Sequence, residues 1–231
     1  MNLYNSINQI EIVKSFEDFI SKPFHDEVNA IGLLRNTEAN FKEIVDKFLT
    51  EEDIIEISIA DLDLLELSDS GVKAKNMIKD DYNNLLEAGC QPTLNLINKY
   101  MKDDEFDFIS TDVYSFHVDR SPIPTSTILC TYYGASSDII SNDEVVQKIL
   151  VPEIRKNLNQ LYDENDGSFE DFLEDNFFDL HYQELPNANP INLGNINIWR
   201  LAVDNPYQNV KPCVHRAPIE NINEPRLLLI C

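Results

Sequence analysis

The sequence predicts an α+β fold in which a helical N-terminal half supports a β-rich C-terminal half. Apolar residues recur at helical spacing through residues 1–105, runs of β-branched and aromatic residues begin near residue 106, and a helical stripe interrupts those runs. We therefore expect a single domain over residues 1–231. It would have mainly helical support at 1–105, a β core at 106–231 and a helical insertion at about 141–184.

The N-terminal half contains three helical patterns and one ambiguous run. Apolar residues at i, i+3 and i+4 predict amphipathic helices at residues 16–20 and 41–48. The apolar alternation at residues 54–59 is too short to decide between a strand and the start of a helix. Residues 72–102 are again helical in pattern, and the turn residues at 89–92 are expected to divide them into two helices.

The C-terminal half is dominated by strand-like segments. The run at residues 125–133 (TSTILCTYY) is the strongest strand signal in the chain because it is rich in β-branched and aromatic residues. Further strands are predicted at residues 106–109, 113–119, 196–203, 210–215 and 226–231, and helices at residues 142–162 and 168–181.

The charge of the chain excludes several classes of protein. There are 41 acidic side chains against 18 Lys and Arg, a net charge of −23. A protein that binds nucleic acids or anionic membranes needs a basic surface, so we expect neither as a partner of this chain. The hydrophobic fraction of 43% is too high for an acidic disordered tail. A globular acidic domain is the remaining class.

The sequence also predicts a cytoplasmic location. Residues 1–16 lack the basic and apolar regions of a secretory signal, and the most hydrophobic stretches are interrupted by acids. The four cysteines are scattered without a C-x-x-C pair, which fits reduced thiols better than a disulfide framework.

Four histidines are candidates for chemistry: His25, His117, His181 and His215. Because residues i and i+2 of a strand face the same side, His117 and Asp119 would present an imidazole and a carboxylate together, as a chelating pair needs. A structural His–Asp hydrogen bond explains the same pair, so the context has to decide. His25 is expected on the surface, and His181 at a helix C-terminus, where a cation interacts with the dipole.

The context comes from the end of the chain. His215 ends a strand-like segment, and Arg226 follows eleven residues later at the head of the apolar run RLLLIC. An unpaired buried guanidinium is very costly, so Arg226 is expected to have an anionic partner. Two histidines and a carboxylate form the triad that binds non-haem Fe(II), and an arginine can hold a carboxylate through two parallel hydrogen bonds. Cys213 could be read as a thiol beside a base, but it is expected in the core.

The order H-x-D, distal His and Arg resembles the Fe(II)/2-oxoglutarate-dependent dioxygenase superfamily. The segment HVDRSPIPTSTILCTYYG is similar to that superfamily's H-x-D strand, followed by prolines and the next strand. More closely, the segments HVD, TYYG, HRAPI and RLLLI resemble an uncharacterised bacterial family, the domain of unknown function numbered 1826. The resemblance covers roughly residues 106–231.

The resemblance implies a double-stranded β-helix, a jelly-roll or cupin-like core, with Fe(II) as the metal and 2-oxoglutarate as the co-substrate. It implies His117, Asp119 and His215 as iron ligands and Arg226 as the residue that binds the far carboxylate of 2-oxoglutarate. Hydroxylation of a small molecule or a protein side chain would be the outcome. Such a barrel needs further short strands, and the segments around residues 139 and 191 are the best places for them.

Other side chains could complete this site. On the strand after H-x-D, the candidates to donate a hydrogen bond to the co-substrate are Thr127, Thr131 and Tyr132. Trp199 and Arg200 lie near the distal histidine and are expected to pack or line the rim, with Arg200 the first to test for substrate contact.

A non-catalytic alternative remains open. Leu228 stands where many members of the superfamily have a serine two residues after the arginine. This substitution favours a metal-binding or protein-interaction module on the same fold, which would hold zinc or iron without turnover.

Overall fold

The computed structural model describes residue 4, residues 7–163 and residues 167–231. Within them the strands are β1 Ile10–Val13, β2 Ala30–Leu33, β3 Ile54–Glu56, β4 Thr93–Ile97, β5 Ser126–Tyr133, β6 Asp138–Ile140, β7 Val145–Gln147, β8 Tyr182–Glu184, β9 Ile191–Asn192, β10 Ile198–Ala202, β11 Val214–Arg216 and β12 Arg226–Ile230. The α-helices are α1 Phe16–Ser21, α2 Phe41–Lys47, α3 Ile59–Asp63, α4 Asp69–Glu87, α5 Pro152–Leu161 and α6 Phe169–Asp175. The fold is therefore mixed α+β.

A seven-stranded sheet forms the larger part of the structure. Its strand order is β1-β2-β10-β5-β12-β4-β3, and every neighbouring pair except β1 and β2 is antiparallel. Side chains of β5 alternate between two hydrophobic clusters: Ile128 and Cys130 pack with residues of α2 and α4, whereas Leu129 packs with Ile139 of β6. One face of the sheet is thus covered by helices and the other by the smaller strands.

The smaller strands form the layer that carries the histidines. Strands β11-β6-β9 make one sheet and β7-β8 another. Backbone bridges from His117 to His215, on one side, and to His181, on the other, connect the two. The resulting layer packs its inner side chains, such as Ile139 and Cys213, against the large sheet.

The N-terminal half contributes more strand than its pattern predicts. Helices at 16–20 and 41–48 are confirmed as α1 and α2, and most of the first half of the 72–102 pattern is α4. The second half is wrong as a helix, because Thr93–Ile97 is β4, with its Leu94 and Leu96 buried on the helix-covered face. The ambiguous run 54–59 contains β3 and begins α3, which is N-capped by Ser58.

The helix predicted at 142–162 begins at Pro152, ten residues after its predicted start. Residues before a proline avoid the α conformation and proline favours the first helical position, so α5 starts at Pro152 and β7 precedes it. The predicted helix at 168–181 ends at Asp175, and Phe177 has a left-handed φ of 58°. His181 therefore lies beyond the helix, which corrects the prediction of a helix-terminal cation.

Short strands account for the remaining differences. The expected strands near residues 139 and 191 are present as β6 and β9. Residues 106–109 form a turn, and the predicted strand 113–119 is reduced to bridge pairing at His117. No helix of the described residues has the length and apolar character to cross a membrane.

Candidate metal centre

Three predicted ligands converge in the structure. His117, Asp119 and His215 each offer one ligand atom, and these atoms lie within 4.8 Å of one another. Nε2 of His215 is 3.5 Å from Oδ2 of Asp119, and Nε2 of His117 is 4.0 Å from Oδ1. The two imidazole centroids are 4.5 Å apart. One ion could contact all three groups after small adjustments of these side chains.

Strand pairing brings the three side chains to one side. His117 and His215 exchange both backbone N–H···O hydrogen bonds, each 2.9 Å long, so they are directly opposite residues. Opposite residues of an antiparallel pair share a face, and Asp119 joins them because it follows His117 by two positions. The H-x-D spacing therefore has a direct structural cause.

Hydrogen bonds orient both rings for metal binding. Nδ1 of His117 lies 2.8 Å from the Ser115 carbonyl oxygen, and Nδ1 of His215 lies 3.2 Å from that of Cys213. Because a carbonyl only accepts, each Nδ1 carries a proton, and each Nε2 is the ring nitrogen that faces Asp119 and could bind a metal. Thr127 donates its hydroxyl to the Asp119 carboxylate. Such outer hydrogen bonds fix the tautomer and orientation of metal ligands.

The protonation states also suit a metal ion. Burial and the neighbouring His215 lower the pKa of His117 to about 4, so its imidazole is neutral at pH 7. Burial opposes ionisation of Asp119, but the nearby His215 and the Thr127 hydroxyl bring the pKa of its carboxyl below the usual value. The neutral imidazole of His117, the imidazole of His215 and one carboxylate match the two-histidine, one-carboxylate triad. The residues present therefore fit a divalent transition metal such as Fe(II).

Arg226 is buried without a carboxylate partner. It is 2% exposed, and its Nε and Nη2 donate to the Thr131 hydroxyl at 3.1 and 2.9 Å. Nη2 also donates to the Ser137 hydroxyl at 2.7 Å, and Nη1 to the Tyr100 hydroxyl at 3.2 Å. Among the described residues, no acidic side chain is within ion-pair distance. Burial lowers the pKa of Arg226, and Tyr100 and Glu220 oppose this effect only in part.

The hydroxyl of Ser137 connects Arg226 to the metal centre. Ile139 is directly opposite His215, and Ser137 precedes Ile139 by two residues, so it is a diagonal neighbour of His215 on the same face. Diagonal neighbours are about 7–8 Å apart. The guanidinium therefore contacts a side chain that is a diagonal neighbour of one triad histidine.

The three predicted co-substrate residues lie on opposite faces of β5. Thr127 reaches Asp119 and Thr131 reaches Arg226, both from the inner face. The structure does not bring Tyr132 to the site, because alternation places it on the helix-covered face, where its hydroxyl donates to Asp81 at 2.6 Å.

Trp199 and Arg200 have structural roles. Trp199 is fully buried, and its Nε1 donates to the Leu193 carbonyl at 2.9 Å. Arg200 points to the opposite face, donates to the Ile20 carbonyl at 3.0 Å, and lies 4.7 Å from the Phe24 ring centroid. It therefore caps the end of α1, and the structure does not place it as a substrate contact.

Two residues of the site were missed from the sequence. Ser137 carried no motif. His181 is 6% exposed, its ring centroid is 5.7 Å from that of His117, and its Nδ1 has no hydrogen-bond partner among the described residues. Burial, His117 and Lys148 lower its pKa to about 3. The apolar run that precedes His181 was the only sign that the chain enters the core there.

Comparison with known proteins found no match: no family model, curated protein or solved structure aligns with the chain. The structure supports a metal-binding triad within a mixed α+β fold. The resemblance to the dioxygenase superfamily and to the family of unknown function remains a prediction from the motifs.

Proposed function

We propose that this protein is an Fe(II)/2-oxoglutarate-dependent oxygenase of the hydroxylase type. One observation carries the proposal: a buried guanidinium, whose hydrogen-bond partners among the described residues are all hydroxyls, faces the same space between the two layers as a preoriented two-histidine, one-carboxylate cluster. A buried cation of this kind favours an anionic ligand. Such a ligand could be a dicarboxylate that binds the metal at one end and Arg226 at the other.

The arrangement of strands supports a double-stranded β-helix. The seven-stranded sheet and the histidine-bearing layer share one inner hydrophobic cluster. The triad comes from the segment before β5 and from β11, and Arg226 opens β12 at the centre of the large sheet. Metal and co-substrate groups therefore line the space between two layers, as they would in such a barrel.

Each residue then has a defined task. His117, Asp119 and His215 would hold the iron, which, when bound, supplies the redox chemistry by which dioxygen and 2-oxoglutarate hydroxylate a C–H bond. Arg226 would bind the far carboxylate through two parallel hydrogen bonds. Four of its five N–H groups donate to hydroxyls, so this binding would require at least one of those hydroxyls to give up its bond to the guanidinium. Ser137 adds a hydroxyl beside that carboxylate and so replaces the serine that is absent at position 228.

Anaerobic absorption spectroscopy tests the proposal. Fe(II) and 2-oxoglutarate together should produce a weak visible charge-transfer band in the wild-type protein. His117→Ala should abolish the band and metal binding, whereas His25→Ala should leave both unchanged because His25 is an exposed residue paired with Glu11.

The substrate and the outcomes that decide the proposal follow from the site. With a net charge of −23, a small molecule or a protein side chain is a better substrate than a nucleic acid.

Aerobic incubation of the protein with Fe(II) and 2-oxoglutarate should release succinate. If no metal binds, the proposal is wrong, and if metal binds but 2-oxoglutarate does not alter the spectrum, the protein is a non-catalytic metal-binding module.

A further inference from the structure

A row of basic side chains crosses the histidine-bearing layer. His117 is opposite His215 on one side and opposite His181 on the other. The β7–β8 register continues this row, because the Lys148 N–H donates to the His181 carbonyl at 2.8 Å. Opposite residues share a face. The order across the layer is therefore Lys148, His181, His117, His215 and Ile139.

Arg226 meets this row only at one end. Its partner Ser137 directly precedes β6, the strand that carries Ile139, and so lies on that side of the triad. His181 and Lys148 lie on the other side. A co-substrate between the metal and Arg226 would leave them free to contact a different molecule.

Lys148 resembles Arg226 in having no ion-pair partner among the described residues, although Asp112 is near enough to raise its pKa against the effect of burial. Its half-buried ammonium donates to the Ser110 carbonyl at 2.7 Å and to the Ser115 hydroxyl at 2.6 Å. No carboxylate of the described residues lies within ion-pair distance of it. Two of the three ammonium protons are used, and one remains for a ligand. Beside it, the buried Nδ1 of His181 has no hydrogen-bond partner within the part of the chain that the structure describes.

A cleft of about 380 Å³ leads to Lys148. Its apolar lining includes Phe106, Phe108 and Ile154, and Gln183 lines it from β8. Gln183 follows His181 by two residues and so lies on the same face. The cleft therefore opens beside the end of the row that is farthest from Arg226.

We propose that Lys148 and His181 form the substrate-binding end of the site and hold a carboxylate of the substrate, such as that of an amino acid. This inference rests on the proposed function. Both side chains can offer a hydrogen-bond donor, and a charge-assisted bond to Lys148 would supply the missing anion. The apolar cleft walls suit an aliphatic or aromatic side chain. The metal ligand His117 lies next to His181, so this substrate would bind beside the metal.

Four aspartates line the same cleft, and they refine the substrate class. Asp103 accepts a hydrogen bond from Thr111, and Asp112 accepts them from nearby backbone N–H groups, so both serve the local loop. Asp104 and Asp107 are exposed at the rim. These two carboxylates favour a positively charged group at the outer end of the substrate, so a zwitterion would match both ends of the cleft.

A matched pair of probes tests the proposal: L-phenylalanine and L-phenylalaninamide. Binding is measured by ligand-observed NMR, with the metal-free protein and with its anaerobic Fe(II)–2-oxoglutarate complex. We expect L-phenylalanine to bind at least about tenfold more tightly than the amide. Lys148→Met and His181→Phe should each remove this preference, whereas Lys156→Met, at an exposed position of α5, should keep it.

The outcomes separate this inference from the proposed function. If the charge-transfer band forms normally but the amide binds as well as the acid or better, the cleft selects cations and the inference is wrong. Failure of L-phenylalanine to bind, with a normal band, also overturns it. Loss of the band alone, with the preference intact, would overturn only the oxygenase proposal. Arg226→Met should weaken 2-oxoglutarate binding and leave the preference for L-phenylalanine unchanged.

Discussion

Replacement of Arg226 by methionine should separate ligand binding from stability. The arginine makes four hydrogen bonds, all to hydroxyl groups. Methionine can occupy most of the same volume without the charge. Because removal of the guanidinium also removes the cost of burying it, several kcal/mol, the two effects oppose each other. We expect the free energy of unfolding to change by less than about 2 kcal/mol.

The effect on 2-oxoglutarate binding should be much larger. A carboxylate bound by Arg226 would accept two charge-assisted hydrogen bonds, each contributing about 1.5–3 kcal/mol. Their loss corresponds to at least about 3 kcal/mol, or more than about 100-fold in Kd. Arg226→Lys keeps the charge but not the parallel geometry, so we expect an intermediate loss of roughly tenfold.

Thermal unfolding with metal and 2-oxoglutarate measures both quantities. Ligand at 100 times its Kd stabilises the native state by about 2.7 kcal/mol, which raises Tm by roughly 5–11 °C for a chain of this size. The wild type should show this shift, and Arg226→Met should not. The reasoning is refuted if the variant loses more than about 3 kcal/mol of stability while the wild type shows no shift. Arg226 would then be a structural residue.

Three further predictions concern the same layers. Thr127→Val removes the hydroxyl that donates to Asp119 and should weaken Co(II) binding about 10–100-fold in a titration, whereas the exposed Thr125→Val should not. His181 has a folded pKa of about 3, below its unfolded value, so the free energy of unfolding falls as pH drops below about 6.5. Urea titrations at pH 7.5 and 5.0 should show that His181→Phe loses about 2 kcal/mol less stability than the wild type over this range. Equal losses in the two proteins would contradict the effect of burial on His181. Asp81→Asn breaks a buried pair with Arg35 and should cost about 3–5 kcal/mol in the same assay, with 2-oxoglutarate binding retained in the folded fraction.

The sequence predicted those elements whose periodicity is long and whose ends carry clear signals. Strand β5 has eight residues of β-branched and aromatic character, and α4 runs for nineteen residues after an N-capping serine. Shorter elements depend on tertiary pairing instead. Strand β4 follows the turn after α4, and its apolar spacing predicts a second helix, but its place between β12 and β3 requires an extended backbone.

The candidate ligands could be predicted because strand geometry maps sequence spacing onto space. His117 and Asp119 face one side by local alternation alone. The pairing of His117 with His215 required the order of motifs, since 98 residues separate them. His181 had no such motif, because its position depends on a left-handed turn at Phe177 and on a bridge to His117. The sequence left open which alternate residues of β5 face the interior, because that choice is set by the neighbouring strands; the structure places Thr127 and Thr131 there and Tyr132 on the helix-covered face.

The chain's acidity makes its uncompensated cations informative. With 41 acids available, a buried cation could readily have been paired, as Arg35 is with Asp81 at 2.6 Å. Arg200 lacks an acid but caps the carbonyl end of α1, where a cation is stabilised by the dipole. Among the described residues, Lys148 and Arg226 have neither an ion pair nor a helix end, although Asp112 and Glu220 act on them from beyond ion-pair distance. The two cations lie on opposite sides of the same candidate metal triad. A structural role would favour a partner for each, whereas a site that binds two carboxylates requires both to be left without one.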